Sequence, residues 1–174
     1  AAGFQEIAQR SGVRARAGGC VTWVDYNDDT LPDLCLAGEE SPLTLFRNAG
    51  DETFTNVTAQ VGLEELICRS ATWADYDGDG DPDLFVWGDS GSDHLFRNDG
   101  DRFTEVTTVA GIQSAPNSIG AAWADYDNDG DPDLYVSREN HPNNSLDPAD
   151  RLFRNDSGTF IEVGVSVGLG RTGN

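Results

Sequence analysis

A chain of 174 residues with 31 Asp plus Glu against 11 Lys plus Arg carries a formal net charge of −20. Nucleic acid and anionic membranes would repel it, because phosphate contacts need Lys and Arg. Hydrophobic residues still make up 37%, with four Trp and eight Phe, which is core material that a disordered acidic tail lacks; no apolar run reaches the length of a membrane span.

The N-terminal stretch AAGFQEIAQR has no apolar signal core, so any export signal is expected to have been removed or never to have been there. Residues 3–8, centred on Phe4 to Ala8, read as one isolated strand. A first unit follows. WVDYNDDTLPDLCL starts at Trp23, LFRN at Leu45 and FTNVTAQVGL at Phe54. The second unit has WADYDGDGDPDLFV from Trp73, LFRN from Leu95 and FTEVTTVAGI from Phe103. The third has WADYDNDGDPDLYV from Trp123, LFRN from Leu152 and FIEVGVSVGL from Phe160. The three tryptophans are spaced by 50 residues, and the phenylalanines by 49 and then 57. A fixed period of this size marks a stacked-repeat architecture. The excess in the third unit, Ser137 to Asp150, is rich in Asn, Pro and Ser without apolar period and reads as a loop insertion.

Within a unit every segment is short, punctuated by Gly and Pro, and β-like. SATWADY and DLFVWG flank the acidic loop, and HLFRN and RFTEVT are joined by the hairpin signal DGD. Four antiparallel strands, A to D, are predicted per unit, with the acidic loop joining A to B. Apolar residues fall on both faces, so each sheet must stack on neighbours. The expected fold is all-β, with three four-stranded blades of a β-propeller at about residues 18–58, 68–108 and 118–164.

In the second unit Asp75, Asp77 and Asp79 stand at loop positions 1, 3 and 5, and Asp83 stands at position 9. Asp81, at position 7, offers its carbonyl. Carboxylates at this density repel one another unless a cation sits among them. An all-oxygen cage suits Ca²⁺ better than Mg²⁺, which keeps more water and a stricter octahedron. Gly80 permits the positive φ of a sharp turn, and Pro82 fixes φ just before strand B. An EF-hand would need a Glu at position 12 and flanking helices. Position 12 is Val86, or Val136 in the third unit, and both flanks are strands.

These loops, each followed by LFRN and by F-x-E-V in its neighbourhood, resemble the FG-GAP (VCBS) repeats of integrin α-chain propellers and of many bacterial exported proteins. The resemblance covers nearly the whole chain. It implies a propeller with about three Ca²⁺ per chain, held in the A–B loops, and an extracellular or periplasmic location. Carried over by position, it assigns Asp125, Asp127, Asp129, Asp131 and Asp133 to a third site, beside the second at Asp75 to Asp83. The first site departs from the pattern. It comprises Asp25, Asn27, Asp29, Leu31 and Asp33, with one charge fewer at Asn27, and Thr30 in place of the turn glycine.

Other signals are read as structural. GDSG at Gly88 to Gly91 is a B–C turn without a suitable upstream His. His94 and His141 share no ligand spacing. Trp23, Trp73 and Trp123 pack in the core. Arg47, Arg97 and Arg154 pair with acidic groups or carbonyls. Cys35 is a core residue, whereas Cys20 and Cys68 sit at equivalent edges where an oxidising compartment could join them. Asn56, Asn143 and Asn155 head N-x-S/T triplets. No nucleophile–base constellation is visible, so no enzyme is expected. Two functions remain: a calcium-binding structural or protein-interaction scaffold, or a lectin-like propeller with sugars between its blades. Three blades are too few for a ring. The chain is therefore expected to be a fragment of a larger propeller or to pair as a homodimer closing six blades.

Overall fold

The structure is a computed structural model that describes residues 8–13, 19–38, 41–88, 93–113, 117–139 and 150–169. Among these residues it is all-β except for one helical turn, α1 (Ala8–Ser11). The first sheet holds β1 (Cys20–Val24), β2 (Asp33–Gly38), β3 (Ser41–Asn48) and β4 (Phe54–Asn56). The second holds β5 (Ser70–Ala74), β6 (Asp83–Trp87), β7 (His94–Asn98) and β8 (Phe103–Glu105). The third holds β9 (Ser118–Ala124), β10 (Asp133–Arg138), β11 (Arg151–Asp156) and β12 (Thr159–Glu162). Each is a four-stranded antiparallel meander, the form of a propeller blade, and the three are stacked without closing into a ring.

The register is the same in every blade. Trp23, Trp73 and Trp123 stand opposite Leu34, Leu84 and Leu134, and the chain reverses at the acidic loop just beyond. The second strands are the apolar runs DLCLAG, DLFVW and DLYVSR. In the first two blades every residue of that strand is buried, since both sheet faces are covered. The A strand of the first blade instead alternates, with Val21 and Trp23 turned outward. One core cluster lies between blades one and two and includes Leu45, Leu84 and Phe103. A second lies between blades two and three and includes Phe85, Leu134 and Phe160. A lone four-stranded sheet could bury neither set, so stacking supplies the hydrophobic stabilisation.

Of the isolated N-terminal strand only Ala8 is described, and it opens α1 rather than ending a strand. After each D strand the chain makes a similar tight turn, as in Val61 N–H donating to Val57 O and Ala110 N–H to Val106 O. The insertion starts later than Ser137, because Ser137 and Arg138 continue β10; residues 140–149 lie outside the described part. Its end is pinned where Asp150 accepts bonds from Tyr135 Oη (2.7 Å) and Arg138 N (2.9 Å). Finally, all three cysteines are free thiols. Cys20 Sγ faces the Ala71 carbonyl at 3.9 Å, and burial pushes the Cys35 and Cys68 thiols up to about 12.

Candidate metal centre

Each acidic loop is folded by its own carboxylates. Asp75 Oδ1 accepts the amides of Gly78 (2.8 Å) and Asp79 (3.1 Å), Asp75 Oδ2 accepts that of Gly80 (3.0 Å), and Asp79 Oδ1 accepts that of Asp81 (2.9 Å). Asp125 and Asp129 repeat this with Asp129, Gly130 and Asp131. Asp25 and Asp29 do so with Asp29, Thr30 and Leu31. The sixth loop position takes a positive φ in all three: 69° at Thr30, 100° at Gly80 and 101° at Gly130. That conformation is easy for glycine and costly for β-branched threonine. A second positive φ at the fourth position, on Asp28, Gly78 and Asn128, was not anticipated. Asp, Gly and Asn are the residue types that tolerate it, so the signal was present.

The position-9 aspartates do more than close the loop. Asp83 is fully buried. Its Oδ2 accepts Tyr76 N (2.9 Å) and its Oδ1 accepts Asn98 N (2.8 Å), so it ties the loop to strand C. Asp133 bonds Tyr126 N and Asn155 N in the same way, and Asp33 bonds Tyr26 N and Asn48 N. Each carboxylate oxygen has a further lone pair free for a cation. Burial raises the Asp83 carboxyl to about 7, helped by Asp77 and Asp79 and opposed by the two amide bonds. Burial also raises Asp33, against bonds from Asn48 and Tyr26. At position 7 the Asp131 carboxylate turns away to accept Ser157 N (2.8 Å), which leaves that position's carbonyl as its donor toward the loop.

Ligand oxygens of Asp75, Asp77 and Asp79 all lie within 4.8 Å of one another, and so do those of Asp125, Asp127 and Asp133. Twice a Ca–O distance of about 2.3–2.6 Å spans that separation, so one ion could touch each set. Asp77 Oδ1 is buried and has no hydrogen-bond partner, a costly state for a carboxylate oxygen. Burial comes first in raising the Asp77 and Asp127 carboxyls, and the neighbouring aspartates add to it. All-oxygen donors, mutual repulsion and an orphaned buried oxygen together fit a hard cation. The first loop is different. Asn27 Nδ2 donates to Asp29 Oδ2 at 3.0 Å, so an internal hydrogen bond replaces one repulsion.

The other singled-out residues are placed as follows. Arg97 and Arg154 pair with Asp99 and Asp156 at the hairpin between strands C and D, both at 2.7 Å. Trp73 and Trp123 are half-buried and packed against a core, whereas Trp23 is 60% exposed. His94 lies 3.6 Å from Glu105 and belongs to no cluster of metal ligands among the described residues. His141 and the turn at residues 89–92 lie outside the described part. Asn155 is fully buried, which closes its N-x-S triplet to a glycan. The asparagine of LFRN was overlooked. Asn98 Nδ2 donates to Tyr26 O and Asn155 Nδ2 to Tyr76 O, both at 2.7 Å, which pins blades two and three to the acidic loop of the blade before. Its recurrence in three units was the available signal.

Residues 25–86 and 75–136 match the family model for the FG-GAP-like repeat. No curated protein matches the chain significantly. Repeats of this family form β-propeller-like modules, are generally non-enzymatic, often bind calcium and are typical of extracellular proteins. No helix among the described residues is long and apolar enough to cross a membrane.

Proposed function

The chain belongs to the FG-GAP-like repeat family, and from this premise we propose that it is a non-catalytic calcium-binding repeat module acting as a scaffold outside the cytoplasm. The observation that carries the reading is the orphaned Asp77 Oδ1 within a triad of carboxylates whose oxygens lie within 4.8 Å of one another. Asp75, Asp77, Asp79 and Asp83, with the Asp81 carbonyl, would hold one ion. Asp125, Asp127, Asp129 and Asp133, with the Asp131 carbonyl, would hold a second. Asp25, Asn27, Asp29 and Asp33, with the Leu31 carbonyl, would hold a third and weaker one. Bound calcium supplies the positive charge that lets these loops stay folded at neutral pH.

The role follows from where the loops sit. Tyr26 and Tyr76 rise from them into the seams between blades, so an ion that rigidifies a loop also fixes a seam. Exposed loops of this kind suit the calcium level outside cells, where modules bind with Kd on the order of 0.1–1 mM. An ion bound only by the folded state stabilises it by mass action. Chelator is therefore expected to lower the melting temperature, and millimolar Ca²⁺ to restore it more than equal Mg²⁺. A melting curve indifferent to chelator and to Ca²⁺ would sink the proposal.

A further inference from the structure

The chain contains the same blade-to-blade joint twice, and each joint has four parts. First, the loop tyrosine of one blade lies under the D-strand phenylalanine of the next: Tyr26 and Phe103 are 6.2 Å apart, and Tyr76 and Phe160 are 5.7 Å apart. Second, the tyrosine carbonyl accepts the LFRN asparagine of the next blade, at 2.7 Å in both joints. Third, the carbonyl seven residues beyond one D-strand phenylalanine accepts the amide of the next one. Phe103 N donates to Val61 O (2.8 Å) and Phe160 N to Ala110 O (2.7 Å). Fourth, the A-strand tryptophan of the following blade packs on the blade before it, in two ways: Trp73 Nε1 donates to Thr22 Oγ1 (3.0 Å), whereas Trp123 makes no such bond and meets Phe85 edge-on at 6.2 Å.

The two ends of the array carry the two halves of a third such joint. On the outer face of blade three, Tyr126 is 40% exposed, against 5% for Tyr26 and for Tyr76. It opens on an apolar pocket of about 350 Å³ lined also by Ala122, Tyr135, Leu152, Val167 and Leu169. Val167 stands seven residues beyond Phe160, the place of Val61 and Ala110. Ala122 stands where Thr22 meets Trp73. On the outer face of blade one, Trp23 and Val21 are 60% and 58% exposed. Among the described residues Asn48 Nδ2 reaches one carbonyl, Pro32 O of its own loop at 3.0 Å, where Asn98 and Asn155 each hold two. Phe54 occupies the position of Phe103 and Phe160.

We propose that the outer face of blade three docks blade one of a second copy of this chain, through the joint used twice inside each copy. Phe54 and Trp23 of the incoming copy would cover Tyr126 and Ala122, and its Asn48 would donate to the Tyr126 carbonyl. The surfaces match because they are the same repeat positions, and continuity with two existing joints fixes the register. One segment must move. Gly12 lies against the Phe54 carbonyl, where an added Cβ would come within 2.9 Å, much as Gly111 lies against Phe160 O at 2.6 Å. Residues 8–13 of the incoming copy thus hold the slot that residues 163–169 of the receiving copy would fill, and docking exchanges one for the other. The contact is heterologous, so it can close after two copies or run head to tail. A charge of −20 per chain makes association weaker at low ionic strength.

The test is sedimentation of the full chain over micromolar to near-millimolar concentration, once with calcium and once with chelator at raised salt. The expected result is a concentration-dependent species of twice the 18.7 kDa chain mass or a head-to-tail series, with a blue shift of tryptophan emission as Trp23 is covered. Leu169→Asp and Asn48→Asp change opposite ends. Leu169 is half exposed, and the carboxylate introduced by Asn48→Asp would keep the acceptor that holds Gly50 N, so both variants should retain the parental far-ultraviolet dichroism. Each alone should associate at least tenfold more weakly than the parent. Mixed together they should form a one-to-one dimer, since each retains the half that the other lacks. A monomer at every concentration in both buffers overturns the proposal. Association that survives both substitutions, or variants that fail to complement, overturns it equally.

Discussion

The second and third acidic loops are almost the same sequence, DYDGDGDPDL and DYDNDGDPDL, yet they are different environments. In the second loop Tyr76 is 5% exposed, Asp77 Oδ1 is buried without a partner, and burial with Asp77 and Asp83 pushes the Tyr76 hydroxyl up to about 12. In the third, Tyr126 is 40% exposed and Asp127 is open to solvent. Three hydrogen bonds inside the loops match, and the second loop adds one from Gly78 N to Asp75 Oδ1. What differs is the blade that follows. The hairpin of blade three brings Gly158 within contact of Asp77, where a Cβ would meet the Asp77 Cβ at 3.5 Å, and no described residue does this for Asp127. A loop's own sequence therefore sets its shape, and its neighbour sets its burial and the cost of its charges.

Substituting the tyrosines is the strongest way to break this comparison. Tyr76→Ala should cost about 3–5 kcal/mol in chemical denaturation, the range for an aromatic removed from a packed core. Tyr126→Ala should cost under about 1 kcal/mol in dilute protein, as for an exposed side chain. Equal costs would mean that the seam does not carry the stability assigned to it.

A smaller difference is expected between the first loop and the other two. Thr30 holds a φ of 69° that glycine adopts more easily, and Asn27 removes a charge. Asp75→Ala or Asp125→Ala should each lose up to about 2.7 kcal/mol of calcium-dependent stability at an ion excess of about 100-fold over Kd. Asp25→Ala should lose less. Thermal melts of the three variants with and without Ca²⁺ check the order, and the reverse order would show that the strained turn does not weaken the site.

A separate change should come with pH in chelator, where a proton neutralises one carboxylate and a cation serves the whole loop. The folded-state pKa of Asp83 is raised from 3.8 to about 7. A raised pKa favours the protonated folded form, so this contribution is complete below about pH 4 and is lost as pH rises through about 7. The metal-free protein should thus lose stability across that window, and Ca²⁺ should flatten the loss. Exposed Asp99 and Asp156, lowered chiefly by bonds from Thr104 and Arg154 respectively, act in the opposite sense but are screened by solvent. Asp83→Asn should remove most of the slope in denaturant titrations run at several pH values, and an unchanged slope would place its source elsewhere.

Much of the molecule is local, and local things are legible in a sequence. Alternating and apolar runs bounded by Gly, Pro and Asp determined the strands. The 50-residue spacing of Trp23, Trp73 and Trp123 determined that the strands repeat as blades. Aspartates two apart determined the loops, because Asp75 and Asp79 reach only amides two to five residues on. Tertiary structure decided the rest. That Asn98 and Asn155 are seam pins depends on carbonyls 72 and 79 residues away, a distance no local pattern encodes. That Trp23 is exposed while Trp73 is packed depends on whether another blade precedes it. The same holds for Asp77 and Asp127, whose shared motif cannot say which will be covered. Hydrogen bonds between near neighbours are fixed by residue type and spacing, whereas desolvation is fixed by whatever surface arrives from elsewhere in the chain.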